Sequence, residues 1–208
     1  TSWSNAYTSL HMALANTCAD TIKVAKGVYY TAATNVDSSF FVRNGTTILG
    51  GYPNTGNPVD SQRDPVQNPV VLTGNIGNLS DSSDNANHVM TLVYTDGSSI
   101  LDGLTIQDGF SRVQPGDVSR QSGGGIQVIG SDVQIRNCVV RKNFATGGGG
   151  GLFISTSSKF SVEKSVFENN KAASSGGGIS LSSAGTILNS VFSGNQASNT
   201  GGSMYSAD

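Results

Sequence analysis

Only 12% of the 208 residues are charged, yet acidic side chains gather at Asp96, Asp102, Asp108 and Asp117, with Arg112, Arg120 and Lys142 close behind. Two kinds of chemistry use such a set. Carboxylates can hold calcium against an acidic substrate while an Arg or Lys takes a proton. Two carboxylates roughly 5–9.5 Å apart can instead cleave a glycosidic bond. Calcium is the one cofactor this cluster suggests, and no other is expected. The plain alternative makes Asp102 a turn acid and the others solvated loop charges.

A second grouping overlaps the first. Arg63, Asp64, Arg112, Asp117 and Arg120 fall in two irregular segments, 52–68 and 110–121, of a chain otherwise poor in charge. Loops that leave a regular scaffold carry function more often than the scaffold does. These five residues are therefore the candidates for binding a glycan or a protein. Tyr29, Tyr30, Tyr52 and Phe153 could stack on sugar rings, although they form no stripe.

Other chemistry has less to work with. Gly147–Gly151 is followed by Leu152-Phe153 and not by the Lys-Ser/Thr of a phosphate loop. His11 and His88 are the only histidines, and neither has a nucleophile near it in sequence. With net charge −2 and no basic cluster, nucleic acid is not an expected partner. No apolar run approaches the ~20 residues of a membrane helix.

The elements that would position these groups are legible as a repeat. SGGGIQV, GGGGGLFI, SSGGGISL and a fainter TGGSMYS alternate with NCVVRKNFA, KSVFENNKA and NSVFSGNQA. Ile126, Leu152, Ile179 and Met204 are 26, 27 and 25 residues apart; Val140, Phe167 and Phe192 are 27 and 25 apart. Each unit contains short strands and no helical segment, so the period indicates a stack of coils. The expected fold is all-β: a parallel β-helix with three sheets and roughly seven coils of about 25–27 residues.

Stacked columns follow from the spacing. Ile126, Leu152, Ile179 and Met204 form one, Val128, Ile154 and Leu181 another, then Ile135, Val162 and Ile187, then Val140, Phe167 and Phe192. Gln127, Phe153 and Ser180 face outward. The chain bends at Arg136-Asn137. On this register Asp102 and Asp108 meet Asn137 and Lys142 of the next coil. Glycines mark corners, and Asn143, Asn170 and Asn195 form a ladder in the turns.

Residues 1–19 read as an amphipathic helix with Ser4 as its N-cap, closing one end of the stack. Residues 20–121 are irregular coils, and 122–208 are regular ones. Four of the five prolines lie within 51–69, which marks a long excursion. Cys138 shares its column with Ser165 and Ser190, so a small inward side chain suits the site. Cys18 belongs at the other end, out of disulfide reach.

The pairing of GG-small-Ile/Leu with Phe-x-x-Asn resembles the repeat of polymorphic outer-membrane proteins. WSNAYTSLHMAL followed by IKVAKGVYY, then RDPVQNPVVLTGNIG and LDGLTIQDG, is similar to right-handed β-helix proteins of bacterial surfaces, common in Bacteroidetes-type genomes. The resemblance covers nearly the whole chain and implies the pectate-lyase-like superfold, with a secreted or cell-surface location. That superfold hosts adhesins, structural modules and enzymes alike. Its hydrolase signatures, Asn-Thr-Asp and Gly-His-Gly, are missing here.

The resulting expectation is an adhesive or structural surface module that binds through 52–68 and 110–121. A polysaccharide lyase or hydrolase is the alternative. A filament or surface-layer subunit, self-associating through an uncapped last coil, is a third, and the natural polypeptide is expected to continue or to be covered there.

Overall fold

The computed structural model describes residues 3–16, 18, 20–95, 98–113 and 118–207. Among these, the strands form three six-stranded parallel sheets and a fourth sheet of four short strands. One turn of the chain shows the plan. Val133–Arg136 lies in sheet I, Val139–Arg141 in sheet II and Phe144–Ala145 in sheet IV, and Leu152–Ile154 then enters sheet III. Each strand pairs in parallel with its counterpart one coil earlier and one coil later, which is a parallel β-helix. The three long sheets are those expected. Sheet IV is additional, made of two-residue strands such as Lys171–Ala172 that carry too few apolar positions to register as a pattern.

Among the described residues there are six coils, not seven. The excursion after Thr47–Tyr52 and the stretch after Val70–Thr73 hold residues that simple division by the period assigns to a coil. At ~4.8 Å per step the stack is roughly 25 Å tall.

The predicted columns pair residue for residue. Ile126 faces Leu152, Leu152 faces Ile179, and Ile179 faces Met204. Ile135, Val162 and Ile187 pair in sheet I, and Val140, Phe167 and Phe192 in sheet II. These side chains fill one continuous interior, with Phe167 and Phe192 stacked at 5.2 Å. Met204, in the column of the fully buried Ile126, Leu152 and Ile179, is 47% exposed in the last described coil.

Corners are set by backbone conformation. The bend at Asn137 is left-handed (φ 50°), as it is one coil later at Lys164 and two later at Asn189. A lysine there is less comfortable than asparagine, whose short polar side chain tolerates this region.

The glycine runs do more than mark corners. They form a backbone strip that lies over the outer face of sheet III. A Cβ on Gly149 would sit 2.3 Å from the Leu152 carbonyl oxygen, so the chain passes over its own following strand. The strip stacks from coil to coil through Gly123 N–H to Gly149 O, Gly149 N–H to Ser175 O and Gly176 N–H to Thr200 O. Gln127 and Ser180 are on the outward face, as expected, yet not in solvent: they are buried beneath the strip.

The N-terminal cap also differs from expectation. Instead of one helix over 1–19, there is a 3-10 turn at Trp3–Asn5 and an α-helix at Leu10–Ala15, with Ser9 in the N-cap position. Ser9 is extended (φ −118°, ψ 128°) and interrupts the spacing between the two. Tertiary contacts then hold Trp3: its Nε1–H donates to Pro53 O at 2.8 Å and its ring meets Tyr52 edge-on. Leu10 and Leu14 remain the buried face, packed on the first coil.

Candidate functional site

The charged residues of the first excursion are built into the scaffold. Arg63 donates from Nε to Gly50 O (2.7 Å) and from Nη2 to Asp102 Oδ1 (2.6 Å). Asp102 also accepts from Asn137 Nδ2 (3.0 Å), so the coil-to-coil register between these two is real and structural. Asp64 accepts from the Val66 and Gln67 amides, closing a turn. Asp108, at a left-handed corner (φ 62°), accepts from Thr73 Oγ1 and Gln107 Nε2.

The second excursion behaves likewise. Arg112 Nη1 donates to Asn85 O (2.7 Å), Asn87 Oδ1 (2.9 Å) and Phe110 O (3.2 Å), and its Nη2 to Ser83 O. Its guanidinium also lies over the Phe110 ring at 5.1 Å. Arg120 reaches Asp37 at 3.4 Å, exposed on both sides. Asp96 and Asp117 lie outside the described residues. The four described binding candidates are thus not brought to one place. Arg63 and Asp64 belong to the corner between sheets I and II, and Arg112 and Arg120 to the segment leading into sheet III.

Of the acidic cluster, Asp102 and Asp108 are described, and both are held in scaffold contacts. Among the described residues, no three of His, Cys, Asp and Glu come together in a ligand arrangement. The histidines have packing roles: His11 bonds Thr31 O and stacks on Phe40 at 4.6 Å, and His88 Nδ1 bonds Gly123 O. Both cysteines are free thiols, Cys18 exposed and Cys138 buried. Burial pushes the Cys138 thiol up to about 12.

What remains open is a groove of about 820 Å³ at the capped end, large enough for a ligand. One wall is the cap, with Trp3, Asn5 and Tyr7; the other is loop residues Asn54 to Asp60; the floor is the first strand of sheet I, Thr21–Ala25. Its charges are matched. Lys23 Nζ lies 2.5 Å from Asp60 Oδ1 and 5.4 Å from the Tyr52 ring centre. The Tyr52 hydroxyl donates to the same carboxylate at 2.8 Å. Its phenol is pushed up to about 12, by burial first and then by Asp60. The Asp60 carboxyl is lowered by hydrogen bonds from Lys23 and then Tyr52.

Sequence reasoning missed this groove because Trp3 and Tyr7 fitted a helical spacing and so read as core. The available signal was the position of the only tryptophan in the chain outside every repeat column.

No curated protein and no solved structure shows significant similarity to the chain. A family model described as right handed beta helix region matches residues 77–197. That segment is more than half of the chain and spans most of the columns and corners described above, and the chain belongs to the right-handed beta helix family.

Proposed function

We propose that this chain is a non-enzymatic binding module of a secreted or cell-surface protein. Its coil stack is a stiff support, and its irregular segments present a binding groove to a glycan or a protein. The observation that carries this reading is a contrast. Arg63, Asp102, Asp108 and Arg112, the groups best suited to chemistry, are held in scaffold contacts, while the groove between cap and loop stays open. The glycine and Phe-x-x-Asn repeat, similar to that of polymorphic outer-membrane proteins, supports the surface location.

Trp3 provides the test, being the single tryptophan and lining the groove. Intrinsic fluorescence is followed while neutral and acidic oligosaccharides and extracellular proteins are titrated in. Uronate polymers are incubated in parallel, with and without calcium, and watched for ultraviolet absorbance. Saturable quenching without turnover is the expected result. Turnover that disappears in Asp102→Asn would replace the reading with a lyase.

A further inference from the structure

The groove floor is a sheet edge. Thr21–Ala25 is the first strand of sheet I and pairs only with Thr47–Tyr52. The phase of that pairing is fixed. Thr47 N–H donates to Asp20 O at 2.8 Å with Thr21 opposite Thr47. In a parallel ladder this turns the amide and carbonyl of Ile22 into the sheet, and those of Thr21 and Lys23 toward the unpaired side. No described residue of the cap forms a bridge with this strand.

The cavity reaches Ile22 and Val24, whose side chains point inward, and also Thr21 and Lys23, which point outward. Only a space along the strand's edge touches both sets. The Ala25 carbonyl already accepts from Tyr29 Oη at 2.9 Å, but the donors and acceptors of Thr21 and Lys23, walled on both sides, are a template for another strand.

We infer that the groove captures an extended peptide, which adds to sheet I as a parallel strand beside Thr21–Ala25. This rests on the binding-module reading and names its partner class. The repeat itself specifies what fits. The position that pairs with Ile22 in successive coils is Ile48, Leu101, Ile135, Val162 and Ile187, always aliphatic. Leu10 and Ala13 line the same space and meet such a side chain with apolar surface. The groove's lining charges, Lys23 and Asp60, neutralise each other. The partner segment is therefore uncharged, with a branched aliphatic residue at the position opposite Ile22.

The probe is a labelled peptide with the sequence of residues 44–52, NGTTILGGY, which carries this pattern. Fluorescence anisotropy with the whole chain reads its affinity. In the added register the amide of the peptide's isoleucine faces the groove strand, while that of the following leucine faces away. N-methylation at the isoleucine weakens binding at least tenfold, and N-methylation at the leucine leaves it within about twofold. Lys23→Pro, which removes an edge donor that the sheet does not use, weakens binding similarly. The peptide pair carries the test should Lys23→Pro fail to fold.

Equal binding of the two methylated peptides, or no saturation at millimolar peptide, overturns strand addition. Saturable binding of a neutral hexasaccharide that displaces nothing and leaves the peptide unbound overturns it while sparing the binding-module reading. A concentration-dependent dimer dispersed by the peptide assigns the edge to a second copy and overturns the partner-peptide assignment.

Discussion

Asp102 Oδ1 lies 2.6 Å from Arg63 Nη2, a pair that ties the proline-rich excursion to the next coil across 39 positions of sequence. Both side chains are mostly buried, 20% and 12% exposed. The pair also holds one wall of the groove, because Arg63 anchors the segment that contains Asn54 to Asp60. Removing one partner of such a pair leaves the other charge without its main counter-charge. Arg63→Ala is expected to lower stability by about 2–3 kcal/mol. Urea unfolding measures this, and limited proteolysis within 53–69 should accelerate with it. The Arg63→Ala/Asp102→Ala double variant should be less destabilised than the sum of the singles.

The asparagine ladder makes a graded prediction. Asn170 donates from Nδ2 to Asn195 Oδ1 (3.0 Å) and Val140 O (2.8 Å), and its Oδ1 accepts from the amide and side chain of Asn143. It is fully buried, whereas Asn195 is half-buried at the last coil. Asn170→Ala strands two buried donors on Asn143 and the acceptors on Asn195 and Val140, and should lose about 3 kcal/mol; Asn195→Ala should lose about 1 kcal/mol, since water enters the half-exposed site it vacates. Equal losses from the two, measured by chemical denaturation, would count against the ladder as the reason for these residues.

Glycine substitutions separate close approach from turn conformation. A Cβ on Gly150 would lie 2.4 Å from Lys171 O and 2.6 Å from Gly177 O, both main-chain atoms of the next coil. Gly56 has left-handed φ (+69°) but open space around it. Gly150→Ala forces coils apart and should lose more than about 3 kcal/mol, or abolish folding. Gly56→Ala carries only the conformational penalty, about 1–2 kcal/mol. Thermal melts of the two variants make the comparison.

The coil stack was legible because its information is periodic. Ile126, Leu152 and Ile179 repeat a choice dictated by one buried column, and each copy corroborates the next. The groove has no such redundancy. Trp3, Asn57 and Asp60 meet through a cap and an excursion that occur once, and their assembly depends on Trp3 donating to Pro53 fifty residues away. Local pattern even misled there: the 3-4 spacing of Trp3, Tyr7, Leu10 and Leu14 suggested one helix, but Thr8 and Ser9 interrupt it. The arginines were visible as unusual, but sequence cannot tell an anchor from a ligand contact. Arg112 bonding to Ser83, Asn85 and Asn87 is a long-range fact about how two excursions meet.

The buried thiol links the core to pH. Cys138 is raised from 9.0 to about 12, by burial first. A folded state that holds its proton more tightly than the unfolded chain gains nothing below pH 9, relative to the stability it already has there. It loses stability as pH rises from about 9 to about 12, because unfolding then releases the proton. The expected slope is about 1.4 kcal/mol per pH unit in that window. Tyr52, raised from 10.0 to about 12, adds to it above pH 10. Cys138→Ser should fold, since Ser165 and Ser190 occupy the same column and donate in the same way to the preceding carbonyls. It should also flatten the urea midpoint between pH 9 and 10, where the thiol alone contributes. In the parent protein at pH 8, a thiol reagent should titrate Cys18 alone and reach Cys138 only on unfolding; rapid modification of both would show that the interior is not closed.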